Sequence, residues 1–315
     1  MNGQKKQKLI AIVGPTASGK SSVAIALAKK INGEIVSADS AQVYRGLDIG
    51  TAKVTEEEAQ GIPHHLIDIV GPETDYNIGL FQSDAKAAID DIALRKKIPI
   101  LCGGSGLYVN SLINSSYHLG RANANPSQRR KWLEKEKAEG EGTLHRILTE
   151  RFPHRAAKIH PHDYQRILRA LEMDRDLPQD DQYDLWESPY DLSIWGLTME
   201  RSLLYRQIEA RVDLMFQAGL VKEVRQALAM GYRPGGNALN ALGYKEVLPI
   251  LDGIYDEDTA RKLLKKNTRH FAKRQLTWFR RDPRIHWISM EGFPENTADQ
   301  AAEYIFTNLS WFGRI

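Results

Sequence analysis

The chain has 315 residues, 42% of them hydrophobic and 26% charged, with 43 Lys and Arg against 40 Asp and Glu for a net charge of +3. That mix is globular and long enough for about two domains, which excludes a disordered, collagen-like or coiled-coil chain. Near-balanced charge argues at first against a dedicated nucleic-acid binder, the single cysteine, Cys102, excludes an intrachain disulfide and a Cys-based zinc site, and no apolar run approaches the roughly 18 residues of a membrane span.

The basic start, Met1 to Lys6, leads through a short apolar run into a glycine loop, so it is not expected to be a signal peptide. A soluble, cytoplasmic protein is the expectation. Leu9–Val13 is short, β-branched and bounded by Gly14-Pro15, which predicts a buried strand. Ser21 to Lys30 predicts a helix ending at Asn32-Gly33, and Glu34–Ala38 a second strand. A third strand is expected over His65–Val70, a helix over Phe81–Lys97 and a buried strand over Ile98–Cys102. Strands alternating with helices predict a mostly parallel sheet covered on both faces.

The texture changes after Tyr117. Helices are predicted at 126–137, 142–151 and 163–173, and an acidic surface loop at 174–191. A strand at Ser193–Leu197 resumes the α/β pattern, followed by helices at 203–219 and 259–281 and a last strand at 284–289. The predicted architecture is therefore α/β: a P-loop-type, mostly parallel sheet flanked by helices, with an inserted all-helical subdomain. The core spans 1–117 and 196–315 and the insertion 118–195.

Gly14-Pro15-Thr16-Ala17-Ser18-Gly19-Lys20-Ser21 matches G-x-x-x-x-G-K-[ST], between a strand and a helix. Its glycines let successive backbone N–H groups point at one anion, and the helix end adds a positive dipole. Lys20 adds a point charge, and the Ser21 hydroxyl suits a magnesium ion bridging phosphate oxygens. The motif is shared with nucleotide-binding proteins; it specifies a polyphosphate with Mg²⁺, not ATP. Asp39 follows the second strand and is open to three roles: metal support through water, proton acceptor, or turn residue. Ser105, within Gly103-Gly104-Ser105-Gly106, follows another strand and either donates to a substrate atom or shapes a turn. The carboxyl ends of parallel strands form the ligand crevice, so both should converge on the first loop. Cys102 is expected to be buried and inert, and His64-His65 to be loop or core histidines rather than zinc ligands.

Residues 261–284 hold ten cations and one acid, Asp282, with Phe271, Trp278 and Phe279 interleaved. That charge and spacing favour phosphates and bases as partners. Arg129-Arg130-Lys131 and Arg166 with Arg169 add a second basic set. The small net charge is then an average over a basic segment and the acidic 174–191 stretch.

These residues carry a resemblance. Gly14–Ser21, the run Ser37 to Lys53, His64–Asp68, Gly103–Tyr108, the His160-Pro161, Asp163 and Gln165–Ile167 cluster, Ala241–Glu246 and Ala272–Arg280 together resemble the bacterial tRNA dimethylallyltransferases over nearly the whole chain. The resemblance implies transfer of a dimethylallyl group from dimethylallyl diphosphate to N6 of adenosine 37 in tRNA anticodon loops, releasing diphosphate without ATP cleavage. It implies that Gly14, Pro15, Thr16, Ala17, Ser18, Gly19, Lys20 and Ser21 hold the diphosphate, with Mg²⁺ at Ser21. Asp39, Ser105 and Arg211 become the catalytic residues: Asp39 orients N6 and takes its proton, Ser105 hydrogen-bonds near the reacting groups, and Arg211 offsets leaving-group charge. Residues implied to face tRNA are Asp39, Ser40, Ala41, Gln42, Ser105, Arg130, Asp163, Tyr164, Gln165, Arg166, Ile167, Lys273, Arg274, Gln275, Trp278 and Arg280.

Three departures stand out. Ser105 takes the place of the family's Thr, Gln207 replaces the first Arg of its R-I-x-x-R pattern, and the family's Thr-Gly-Lys/Arg-Pro turn after Glu172 is missing. A small-molecule P-loop kinase, a prenyltransferase acting on free adenine nucleotides and an NTP-regulated RNA-binding protein are the rival readings; the basic helix and the insertion favour tRNA. Nothing calls for a dimer, so a monomer without membrane attachment is expected.

Overall fold

A computed structural model describes residues 6–115, 125–172, 186–292 and 297–312. Its elements in chain order are β1 (Lys8–Val13), α1 (Lys20–Ile31), β2 (Gly33–Ser37), α2 (Glu56–Ala59), β3 (His64–His65), α3 (Ile78–Leu94), β4 (Ile98–Gly103) and α4 (Gly106–Ile113). Then come α5 (Pro126–Glu139), α6 (Thr143–Arg151), α7 (Pro153–Ala156), α8 (Tyr164–Leu171), β5 (Asp191–Thr198), α9 (Arg201–Gln217) and α10 (Leu220–Ala229). The chain ends with α11 (Leu248–Leu251), α12 (Glu257–Phe279), β6 (Ile285–Ser289) and α13 (Thr297–Thr307).

The strands form one parallel sheet in the order β3-β2-β4-β1-β5-β6. Alternation along β1 divides its side chains between the two faces. Ile10 and Ile12 join Val23 and Leu27 of α1 and Ala301 and Ile305 of α13 on one face. Leu9, Ala11 and Val13 join residues of α3, α4, α9, α10 and α12 on the other. Register aligns Val13 with Gly103 and Gly196, and Ser37 with Cys102. The loops leaving β1, β2 and β4 therefore start side by side. α1 and α4 depart to opposite faces, which opens a crevice at the carboxyl ends of β1 and β4.

The contacts divide the chain into two units, 1–115 with 188–315, and 116–187. The division falls at 187/188 rather than at 195/196, because all of β5 belongs to the sheet of the larger unit. The smaller unit packs α5 to α8 around Leu144, Leu148, Phe152, Ile167 and Leu171. There Glu136, only 8% exposed, accepts the N–H groups of Gly142 and Leu144 and the Tyr164 hydroxyl, which caps α6.

Several elements differ from expectation. The strand expected over 65–70 ends at His65, because Leu66 and Asp68 have φ of 63° and 56°, which no strand accommodates. Only Val70 returns, bridging Tyr44. α3 starts one turn early because the Asn77 side chain accepts the N–H groups of Gly79 and Leu80. The helices α2, α4, α7, α10, α11 and α13 were not expected. Residues 173–185, most of the acidic stretch, lie outside the described residues.

One polar group is buried at the amino end of the sheet. Glu34 is 1% exposed and is bound by Arg95, Lys97 and His65. The Arg95 guanidinium first, with Lys97 and His65, holds its carboxyl far below the usual carboxylate range despite burial. His65 is thus a structural partner of Glu34, and His64 donates Nδ1–H to the Ile62 carbonyl 2.8 Å away. A depressed folded pKa contributes stability that is complete above the unfolded carboxylate pKa, near 4.5, and is lost as the pH falls below it. We expect Glu34→Gln to lose about 2 kcal/mol at pH 7 and to flatten the acid limb of a stability–pH curve. A wild-type acid limb in the variant would remove Glu34 as its source.

Candidate active site

The loop after β1 is built around its backbone. Gly14 has φ of 147°, and a Cβ there would meet the Leu197 carbonyl oxygen at 2.6 Å. Gly19 caps α1 at φ 82° with no side-chain capping bond, and no acid lies in the first turn. The N–H groups opening α1 therefore keep their donor capacity and positive dipole end. Ser18 is buried with its hydroxyl donated to the Pro15 carbonyl, 2.9 Å away, and Lys20 Nζ donates to the same oxygen at 2.5 Å. Ala17, Ser18, Gly19, Lys20 and Ser21 line a cavity of about 720 Å³, together with Asp48, Lys53 and Arg211. Gly14 and Pro15 form the base of the loop and do not line it. Burial pushes Lys20 down to about 8, the Arg211 charge adding to the shift while Cys102 and Asp39 oppose it.

A second pocket of about 290 Å³ brings Asp39, Ser40, Ala41 and Ser105 together with Thr16, Arg211, Phe271 and Arg274. Asp39 follows β2 directly, and its Oδ1 accepts the Ala41 N–H at 2.9 Å. Ser105 stands at the start of α4; its Oγ accepts the Ser40 N–H at 3.3 Å and its N–H donates to the Ala38 carbonyl. The three expected catalytic residues thus share one pocket. Arg211 also lines the larger cavity, and its guanidinium reaches Thr16 Oγ1 at 3.4 Å. Burial holds its pKa below the usual arginine value, with Asp39 opposing. Gln207, one turn before, opens on a different hollow, with Ser22, Met199 and Met290.

The loop from Asp39 to Lys53 is clamped by groups that sequence reading missed. Glu223 on α10 accepts the backbone N–H groups of Asp48, Ile49 and Gly50 and the Tyr244 hydroxyl. Tyr244 lies so close to Gly50 that a Cβ there would come within 2.6 Å of the ring. Lys53, its side chain 5% exposed, donates to the Tyr44 carbonyl and to Asp48 and Asp68. Asn240, Ala241, Leu242 and Lys245 line the Asp39 pocket. The run 241–246 was visible as a motif, but nothing in it named a pocket.

α12 lies across both loops. The Gln275 carboxamide accepts the Thr16 N–H at 2.8 Å and donates to the Gly104 carbonyl at 3.0 Å. Gln275 is 7% exposed, so the tRNA-facing position expected for it is corrected: it is an internal link. Trp278 packs its ring on Gly106, where a Cβ would fall 2.2 Å from Cδ1. Phe279 is core, 2% exposed. In the smaller unit Ile167 is fully buried, the Asp163 side chain accepts the Arg166 N–H as the cap of α8, and the Tyr164 hydroxyl goes to Glu136. Gln42 has its amide on Ser37 and on the Thr51 and Ala52 carbonyls. Arg130, Gln165, Arg166, Lys273, Arg274 and Arg280 are exposed. Cys102 is buried and its thiol pushed up to about 11 by burial, an inert group as expected.

The basic segment is also reapportioned. Arg261, Lys265 and Arg269 pair with Asp213 and Glu209 of α9, Lys262 with Asp258, and Arg284 with Asp282. In the smaller unit Arg129 and Arg169 both pair with Glu172. Lys266, Lys273, Arg274, Arg280 and Arg281 are exposed and have no acidic partner among the described residues. At 100° per residue Lys266, Lys273 and Arg274 lie on the face of α12 opposite the buried Leu264, Thr268, Ala272, Gln275 and Phe279, and Arg280 and Arg281 follow its last turn.

Replacing Gln275 by Leu keeps the bulk but orphans a buried N–H and a buried carbonyl. We expect Gln275→Leu to cost about 2 kcal/mol in urea unfolding; an unchanged midpoint would show that water replaces both bonds without loss.

The family model described as IPP transferase matches residues 42–282. The chain is 49% identical over 288 residues to the tRNA dimethylallyltransferase of Carboxydothermus hydrogenoformans, covering 90% of this chain and 92% of that protein. It is 42% identical over 309 residues to the enzyme of the same name from Oceanobacillus iheyensis, covering 97% of each. The crystal structure of the tRNA isopentenylpyrophosphate transferase of Bacillus halodurans superposes with a TM-score of 0.71 at 42% identity, over 96% of each chain. A eukaryotic dimethylallyltransferase acting on tRNA superposes with a TM-score of 0.81 at 29% identity, over 96% of this chain and 79% of that one. An anion loop beside a pocket that gathers Asp39, Ser105 and Arg211 is therefore carried on a chain that belongs to the IPP transferase family.

Proposed function

We propose that the chain transfers a dimethylallyl group from dimethylallyl diphosphate to N6 of adenosine 37 in tRNA. One observation carries the proposal. The cavity over the anion loop and the pocket of Asp39 and Ser105 share Ala17, Arg211 and Met215. A diphosphate over Lys20 and a base beside Asp39 would meet at Arg211. The base must leave the anticodon-loop stack to enter such a pocket.

N6 of adenine is a weak nucleophile because its lone pair is delocalised into the ring. Asp39 accepts its proton as the N6–C1 bond forms and the C1–O bond to diphosphate breaks. Ser105 hydrogen-bonds beside the reacting atoms. The α1 N–H groups, Lys20 and Arg211 stabilise the charge that grows on the leaving diphosphate. Among the described residues no group of three His, Cys, Asp or Glu could cage a metal. Mg²⁺ fits such a site when held mostly by phosphate oxygens and water, with the Ser21 hydroxyl as its protein ligand. When bound it neutralises part of the diphosphate charge. Lys273, Arg274 and Arg280, with Arg130, Gln165 and Arg166 of the smaller unit, serve as tRNA contacts. We read the enzyme as a monomer. No helix among the described residues is long and apolar enough to cross a membrane, which agrees with a cytoplasmic enzyme.

The deciding experiment mixes protein, Mg²⁺, unmodified tRNA and dimethylallyl diphosphate without ATP, then weighs the digested nucleosides. Adenosine 37 gains one dimethylallyl group; a requirement for ATP would point to a kinase. Asp39→Asn lowers single-turnover transfer by about 10²–10⁴-fold, and transfer near the wild-type rate would remove Asp39 as the base. Diphosphate raises the Lys20 pKa from about 8, so the complex holds more protons than the free protein and affinity falls as the pH rises past that value. At pH 8, calorimetry in buffers of different ionisation enthalpy should find uptake of about half a proton. Lys20→Met abolishes it; equal uptake in the variant would assign the proton elsewhere.

A further inference from the structure

Lys273 and Arg274 are neighbours in sequence but serve different cavities. Successive helical residues point about 100° apart. Arg274 lines the Asp39 pocket with Phe271. Lys273 lines a separate groove of about 290 Å³ with Arg280 and Arg201, over Leu204, Tyr205 and Leu276. The two cavities share no residue.

Three features define the groove. It is cationic, and none of its lining residues among those described is acidic. Of the carboxylates on α9 and its cap, Glu209 pairs with Arg269, and Glu200 accepts the N–H groups of Ser202 and Leu203. Its floor is apolar, with Leu204 2% exposed. Tyr205 orients the rim, since Arg201 lies 5.1 Å from its ring centroid and donates Nε–H to its hydroxyl at 3.0 Å. Arg269, itself paired to Glu209, lies 5.7 Å from the same ring. An apolar floor beneath three cations that make no ion pair among the described residues suits a ligand with an apolar face and a negative group, which describes a nucleotide. The groove opens on the exposed face of α12, so a strand entering the Asp39 pocket past Arg274 is the occupant its charge favours.

We propose that Arg201, Lys273 and Arg280 form a second RNA subsite, which takes a phosphodiester of the tRNA strand and lays its base on the Leu204–Leu276 floor. This rests on the tRNA reading above. The subsite holds the strand on one side of α12 while the adenosine occupies the other, so that the helix is straddled rather than merely approached.

Arg201 tests it. The binding of an anticodon stem-loop is measured across a range of salt for wild type, Arg201→Ala and Arg201→Lys. We expect Arg201→Ala to weaken binding about tenfold and to reduce the slope of log affinity against log salt by about 0.7, one phosphate contact on a single strand. Arg201→Lys restores the slope. Dimethylallyl diphosphate bound by Arg201→Ala without RNA, with wild-type affinity, shows that the variant is folded. Stem-loops carrying one methylphosphonate at successive positions locate the contact: one position weakens wild type but not Arg201→Ala. An unchanged salt slope in Arg201→Ala overturns the subsite, as does a variant equally sensitive to every methylphosphonate. AMP bound by wild type and lost in Arg201→Ala, with the RNA slope unchanged, would make the groove a free-nucleotide site and also overturn it. If wild type itself binds no stem-loop, the tRNA reading fails instead.

Discussion

The site depends on one carboxamide. Gln275 joins the Thr16 N–H of the anion loop to the Gly104 carbonyl of the loop after β4. A helix can reach both loops only by lying almost on their backbone. That closeness explains Gly104, where a Cβ would strike Gln275 Nε2 at 2.2 Å, and Gly106 beneath Trp278. The two loops leave adjacent strands toward opposite faces of the sheet, so nothing local holds them together. A buried amide with its donor and acceptor both satisfied does. The helix that presents cations to solvent on one face thus fixes, on the other, the spacing between the anion loop and Ser105.

Charge at this site is a matter of partners rather than totals. Ten cations between 261 and 284 read as a strongly basic segment. Half of them are consumed within the fold, mostly to pin α12 to α9 through Asp213 and Glu209. The other half are exposed, and of these Arg274 lines one cavity and Lys273 and Arg280 another. Neither the net charge of the chain nor that of the segment shows this, because the acids that hold Arg261, Lys265 and Arg269, Asp213 and Glu209, lie far upstream in sequence.

What was legible follows from range. β1, the anion loop and α1 are written in adjacent residues, and the carboxyl-end rule carries Asp39 and Ser105 to the same crevice. Arg211 was legible only as one term of a family pattern. Gln275 was misread because its role lies in a contact with Thr16, 259 residues away in sequence. Ile167 sits in a polar run, Asp163 to Arg166, and only the packing of α8 turns it inward. Glu223 looks like any surface carboxylate of an amphipathic helix until the loop at 48–50 is laid over it. β3 failed for a local reason, two left-handed residues that no propensity marks.

Arg211 and Lys20 carry the electrostatic argument for a polyanionic ligand. Both are partly buried cations, each held below its ordinary pKa, and the charge of Arg211 pushes on Lys20. The first turn of α1 offers no carboxylate, and Asp39 is the acid acting on both. Two cations and a helix end are thus held close without full compensation, an arrangement that costs the free protein stability. In the proposed reaction a bound diphosphate would relieve all three at once, and most when its charge is greatest, as the bond to carbon breaks. On that reading the same residues would favour the leaving group over the intact donor, which is the difference that accelerates a transfer.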